Sequence, residues 1–434
     1  MLVFAASVTE RLKYILDEVL LHRLGVSYSI TDKPGYFSAS QSPKINYNTT
    51  LLEGCVNIPA QNLLFDEQII PQKLQVETHI TWKKVFYQNS YISIPDFKSN
   101  TAVLPFDLLA ASFYLLSRYE EYLGTKTDEH NRFKAENSIA FQYDFLDYPL
   151  VDFWVQTLGK QIQKCYPNIR LNPSNFKQVN TIDIDFAYKY KGLSLAAKWR
   201  KTIGSILRNK PDYKAFNPPQ KDPYDTYDFL LETPNAKGIE TLFFFLLADY
   251  GKHDLNLSPK SAELKNLIQN LQQKNTIGIH PSYKGSLISR LYQKEHAYFK
   301  LHSGQDARLS RHHFLKIKIP QSYIKMQKMG ITHDYSMAYS KHLGFRASTA
   351  KPFKFYDLAQ EKTLEVWIHS PCLMDVTLKN ALNLSVEQSK IMIKQYKEIC
   401  QSLGGEFISI WHNSNFDPTE NWENWDEVYL SLFE

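Results

Sequence analysis

Four cysteines in 434 residues, Cys55, Cys165, Cys372 and Cys400, stand far apart and share no short spacing. Zinc knuckles and disulfide frameworks need paired cysteines, so both are excluded, and the pattern fits a reducing compartment. Glycine is sparse at 16 residues, and no glycine-rich, phosphate-cradling loop is present, which argues against nucleotide chemistry. Charge of one sign is also scarce. The 50 basic and 45 acidic side chains leave only +5, which gives no case for a nucleic-acid partner. The longest apolar runs, near residues 108–116 and 242–248, fall well short of the ~20 residues a membrane span requires. The first ten residues lack the basic segment and apolar length of a secretory signal, so a cytoplasmic protein is expected.

What is present is a globular composition, 43% hydrophobic and 22% charged, in a chain long enough for two domains. Aromatic residues reach 14%, which builds thick cores, although the same rings line some carbohydrate clefts. Leu12, Ile15, Leu16, Val19 and Leu20 repeat at helical spacing, with Arg11, Lys13, Asp17 and Glu18 opposite and Gly25 as a stop. Further helices are predicted over 105–123 and 151–165. A polar, proline-containing stretch at 166–174 reads as a linker, giving an N-terminal domain over 1–170 and a second domain over 176–434. In the second domain short apolar strands (179–183, 242–247, 276–279, 364–368, 407–410) alternate with helices, clearest at 261–273 and 385–403. The fold class is therefore α/β, with a parallel sheet or (β/α) barrel in the C-terminal part and a smaller α/β domain before it.

In such folds the chemistry sits at the carboxyl ends of the strands. One strand closes on Thr181-Ile-Asp183-Ile-Asp185, and alternation puts both carboxylates on one face. Another closes on Ile277-Gly-Ile-His280, and the last on Ile410-Trp-His412. Acids and imidazoles at the ends of different parallel strands point into one mouth, a pattern suited to metal binding and acid/base work. Each of these residues alone fits a structural role equally well.

Taken in order, Thr181-Ile-Asp183-Ile-Asp185, the His280 strand end, Arg311-His-His313-Phe-Leu315, Gly330 to Ser336, Gly344-Phe-Arg346 and Trp411-His412 resemble the motifs of the polysaccharide deacetylase family, the NodB homology domain of carbohydrate esterase family 4. The resemblance covers about residues 176–434. The N-terminal part, with Leu115 to Tyr122 and Asp128 to Phe133, looks like the uncharacterised domain that precedes this module in a group of bacterial homologues.

The resemblance implies a distorted (β/α) barrel of the NodB type that binds one divalent metal, zinc by expectation, and removes acetyl groups from N-acetylated sugars. It implies Asp183 as the general base, Arg346 as the residue orienting it, and His412 as the catalytic acid paired with Asp375. Asp185 and His280 are the implied metal ligands. The family has a second histidine four residues after the first, whereas this chain has Lys284. Either His313 completes the metal site from the next strand, or the site is degraded and His312 and His313 merely flank a core turn. The function expected is metal-dependent deacetylation of an acetylated saccharide. A non-catalytic glycan- or protein-binding relative, and an amidase acting on a non-sugar bond, are the alternatives.

Two other features stand out. Residues 189–210 carry Lys189, Lys191, Lys198, Arg200, Lys201, Arg208 and Lys210 among Leu193, Leu195, Trp199, Ile203 and Ile206. Such a basic amphipathic stretch could rest on an anionic lipid or membrane surface, or be a solvated helix beside the cleft. Trp422 to Trp425 reads as C-terminal packing, and Ser370-Pro-Cys372 lacks the strand–turn–helix setting of a nucleophile.

Overall fold

The computed structural model describes the chain except for residues 73, 79–82, 88–99, 174 and 208–210. Two compact units form, one of residues 1–176, 345–367 and 401–405, the other of residues 177–344, 368–400 and 406–434.

The first unit opens with β1 (Leu2–Ala5), β2 (Ser29–Thr31), β3 (Lys44–Asn48) and β4 (Val56–Pro59). An antiparallel hairpin, β5 (Leu74–Thr78) and β6 (Lys83–Tyr87), precedes β7 (Ala102–Val103). The sheet order β2-β1-β3-β4-β7, parallel at every pairing, is that of a doubly wound α/β domain. The first helix starts at Thr9, whose hydroxyl accepts from Leu12 N, and runs over Glu10–Leu16 before widening into a π-turn over Asp17–Arg23. Gly25 then takes φ +70, a conformation that a side chain resists. The polar face expected on this helix is partly internal. Glu18 is buried in an ion pair with Arg23 at 2.6 Å, and buried Arg11 grips Glu361 at 2.6 Å. The second helix covers Leu108–Leu116 and stops earlier than its apolar pattern suggests, because Arg118 adopts a left-handed conformation at φ 54. The third covers Leu150–Cys165.

The second unit begins with β8 (Lys177–Ile184), β9 (Glu240–Phe245), β10 (Thr276–Ile279), β11 (Leu309–Ser310) and β12 (His333–Asp334). The chain then contributes β13 (Phe353–Asp357) and β14 (Lys362–Ile368), which lie almost wholly in the first unit. The strand expected at 364–368 is β14. Its hairpin carries Tyr356, whose ring packs on Tyr14 at 4.8 Å and Phe113 at 5.3 Å, and this aromatic contact ties it to the N-terminal residues. The chain returns for β15 (Leu373–Met374) and β16 (Glu406–His412).

Within the second unit the strands lie in the order β12-β11-β10-β9-β8-β16-β15, and all six pairings are parallel. No pairing joins β12 to β15 among the described residues, so this parallel sheet is not closed into a barrel. The sheet is nonetheless curled. Phe244 on β9 meets Tyr335, just past β12, with ring centroids 5.4 Å apart. Three strand steps on a flat sheet would separate their backbones by ~14 Å. Val179, Leu242, Phe244, Tyr335 and Ile408 fill the concave face as one cluster, and Met374 and Ile410 join Leu315 in another nearer the carboxyl ends. Among the described residues no helix is long and apolar enough to cross a membrane.

Arg346 lies in the first unit, and its partner there is Glu121. The guanidinium donates from Nε at 3.0 Å and from Nη2 at 2.7 Å, while Arg118 Nε reaches the same carboxylate at 2.8 Å. Burial acts to raise the Glu121 carboxyl, but the two arginines outweigh it and hold the group below its ordinary value. The segment Leu115 to Tyr122 is thus a buried ion network, and Arg346 belongs to that network through Glu121. Arg346→Ala should lower unfolding stability by about 3–5 kcal/mol, because it strands a buried carboxylate beside one remaining cation. Urea denaturation of the variant against wild type measures this directly.

Candidate active site

The second unit gathers its ionisable side chains at the carboxyl ends of its parallel strands. Asp183 and Asp185 are two residues apart at the end of β8 and share a face with the core residues Val179 and Thr181 beneath them. The ladder of β16 on β8 sets His412 directly opposite Asp183. His280 follows β10, and its N–H donates to Phe245 O at the end of β9 at 2.9 Å. Arg311 and His313 follow β11, and Asp375 follows β15. A slip of one residue in any of these strands would turn its side chain to the opposite face.

Asp185 is the centre. Its Oδ1 lies 3.2 Å from His280 Nε2, and its Oδ2 lies 3.3 Å from His313 Nε2 and 3.8 Å from His412 Nε2. The far nitrogens of both nearer rings are already engaged. His280 Nδ1 stands 2.5 Å from the carbonyl of Arg311, and His313 Nδ1 stands 3.0 Å from Asp254 Oδ1. A carbonyl can only accept, so His280 carries a proton on Nδ1, and the ring turns its Nε2 towards Asp185. Asp254 holds His313 in the same sense. Asp185 Oδ1 is buried and makes no hydrogen bond despite its closeness to the ring. Two imidazole nitrogens and a carboxylate oxygen facing one another are donor types that suit a divalent cation, and the outer nitrogens of both rings are anchored. One donor atom from each of Asp185, His280 and His313 lies within 4.8 Å of the others, so these three could hold a metal. Lys284, at the position where a second histidine was sought, is exposed.

The charges are arranged around this cluster. Burial acts to raise the Asp185 carboxyl, but His313, His280 and His412 reverse that and hold it well below the usual carboxylate range. Burial lowers His313, yet Asp185 and Asp254 more than compensate and push it up to about 9. His412 is likewise opposed by burial but pushed up to about 10, chiefly by Asp375. Its Nδ1 sits 2.9 Å from Asp375 Oδ1, and its own N–H donates to Oδ2 at 2.9 Å. Asn415 Nδ2 donates to the same Oδ2 at 2.8 Å, so the carboxylate that holds the ring is itself fixed.

Asp183 is held by a residue that the sequence motifs did not single out for this task. Arg311 Nη1 donates to Asp183 Oδ1 at 2.8 Å, while Arg311 Nε donates to Tyr335 O and the guanidinium lies 4.6 Å from the Phe244 ring centroid. The orienting role expected of Arg346 corresponds geometrically to Arg311. Asp183 Oδ2 is left facing His280 Nε2 at 3.8 Å. Asp254 was missed as well, since it lies in a loop with no motif around it. The available signal for Arg311 was its place two residues before His313. His312 turns away into the core against Tyr292, and burial drives its ring down to about 3.

With this geometry established, three comparisons place the chain among known proteins. Residues 1–167 match DUF7033, a family of unknown function. No curated protein matches the chain. Among solved structures, a Mycobacterium smegmatis protein assigned as a polysaccharide deacetylase is similar at 10% identity and TM-score 0.39, covering 60% of this chain and 83% of its own. A GH57-type branching enzyme from Pyrococcus horikoshii is similar at 10% identity and TM-score 0.34, covering 59% of this chain and 66% of its own. A GH57 branching enzyme from Thermococcus kodakaraensis is similar at 9% identity and TM-score 0.34, over 60% of this chain and 68% of its own.

The Asp375–His412 pair gives a direct test. In Asp375→Asn the ring loses its principal counter-charge, and its pKa should fall from about 10 towards or below the ordinary 6.5. Because the folded value is the higher one, the stabilisation from this pair is complete below about pH 6.5 and is lost as pH rises through about 10. NMR titration of the His412 ring in chelator-treated wild type and variant follows both.

Proposed function

We propose that the chain is a metal-dependent hydrolase that removes the acetyl group from an N-acetylated saccharide. What carries the reading is the half-buried Asp185 carboxylate, flanked at 3.2 and 3.3 Å by two imidazole nitrogens whose opposite nitrogens are already hydrogen-bonded. Asp185, His280 and His313 would hold the ion, and His313 takes the part that Lys284 cannot. A divalent cation there, zinc by expectation, would polarise the amide carbonyl and lower the pKa of water towards ~7.

The remaining steps belong to the chain's own residues. Asp183 acts as general base and takes a proton from the attacking water at Oδ2, its other oxygen being held by Arg311. The Arg311 guanidinium fixes the plane of that carboxylate. His412, protonated and held by Asp375, donates to the nitrogen as the C–N bond breaks, which turns a poor leaving group into a neutral amine. Acetate and the free amino sugar leave. Arg346, committed to Glu121, contributes to folding instead.

The test is acetate release from a panel of N-acetylated saccharides, with and without chelator. The expected outcome is chelator-sensitive release, restored by zinc, with kcat reduced about 10²–10⁴-fold in Asp183→Asn and in His412→Ala. His313→Ala should weaken zinc binding at least about tenfold, read by elemental analysis after dialysis. Release that persists in chelator would overturn the metal assignment. Saccharide binding without release would favour a non-catalytic relative, and turnover confined to non-sugar amides would favour an amidase.

A further inference from the structure

The helix Leu195–Leu207 in the second unit is built inside out. Thr202 and Ser205 are buried, whereas Leu195 is 72% exposed, Trp199 57%, Ile203 51% and Leu207 79%. On a helical wheel the exposed apolar residues, with Ile206, fall within one arc of about a third of a turn. A helix that only covers a core presents the opposite pattern. The apolar surface extends beyond the helix through Phe216, which is itself exposed and packs edge-on against Trp199 at 4.9 Å. Contiguous exposed apolar surface of this kind marks a contact site.

The charges identify the partner. Residues 189–210 contain seven lysines and arginines and no acidic residue. Lys189 is committed to Asp417 and Glu420 and Lys201 lies over the Tyr190 ring at 5.2 Å, which leaves Lys198 and Arg200 on the helix at the two edges of the apolar arc. Arg208 and Lys210 lie outside the described residues. Apolar side chains backed by cations, without acids, match an anionic lipid surface, where the rings and aliphatic chains enter the headgroup boundary and the cations meet lipid phosphates. A second copy of the chain would bring the same cations against one another.

We infer that this helix docks the protein on an anionic lipid surface. The docking face stands on the active-site side of the sheet. Arg200 covers the ring of Tyr250 at 4.0 Å, in the loop leaving the carboxyl end of β9, and Lys189 is anchored in the loop that follows β16. Docking therefore brings the rim that carries Asp185 and His412 towards the headgroups. The inference stands apart from the hydrolytic reading, since it uses none of the same residues.

Flotation of the full chain with phosphatidylcholine vesicles containing a quarter phosphatidylglycerol tests it. Wild type should float at low salt, lose binding as salt rises, and bind pure phosphatidylcholine at least about tenfold less well. Ile203→Ser with Leu207→Ser should reduce flotation by about tenfold or more at an unchanged melting temperature, because both residues are exposed. Lys198→Glu with Arg200→Glu should abolish the preference for anionic lipid. Wild type that stays with the soluble fraction overturns the inference, as does a double serine variant that floats equally well. So does a dimer in sedimentation equilibrium that Ile203→Ser disperses, which would assign the face to a second copy.

Discussion

The second unit is organised around one electrostatic constraint: a half-buried carboxylate, Asp185, on which three imidazoles converge. Asp183 has Arg311, and Asp375 has His412. Asp254 has the Nδ1 side of His313. Asp185 has the inward nitrogens of His280 and His313. Asp185 and Asp254 together push the His313 ring up. Since an unpaired charge away from water is costly, the carboxylates of the cluster are each met by a cation or an imidazole.

The sheet makes that arrangement possible. In-register parallel strands carry their last residues to one level, so the same face that is apolar at Val179, Leu242 and Ile408 becomes ionic at Asp183 and His412 two turns of the pleat further on. The core below and the chemistry above are successive layers of one curled surface. Packing fixes the lower layer, and the register of the ladder transmits that rigidity upwards. Second contacts then hold each ring or carboxylate: Asn415 on Asp375, Asp254 on His313, and the Arg311 carbonyl on His280.

The strand-end residues were legible because period-two alternation and termination at a polar residue are local signals, visible at Asp183, Asp185, His280 and His412. Partner choice was not local. Arg311 and Asp183 are 128 residues apart, and nothing near Arg346 indicates that its fork meets Glu121 instead. Hydrophobic alternation likewise reveals a strand over 364–368 without revealing which unit its hairpin joins, a choice made by Tyr356 against Tyr14 and Phe113. The helix at 195–207 shows a third kind of limit. Its periodicity was evident, but periodicity states only that two faces differ, and which face is buried depends on what the fold sets against it.

Lys284 shows why a missing histidine need not mean a missing site. A ligand four residues after His280 would sit in the loop beyond the strand, and its position would depend on that loop. His313 instead follows β11, next to β10 in the sheet, and its backbone N–H donates to Pro281 O at 3.0 Å. Asp254 holds the ring from behind and is itself tied to the Tyr283 N–H at 2.9 Å. The His313 ring is thereby fixed at two points, by its backbone and by its outer nitrogen. A side chain fixed in this way would lose little conformational freedom on meeting an ion, so the neighbouring strand end could supply a preorganised donor in place of the loop.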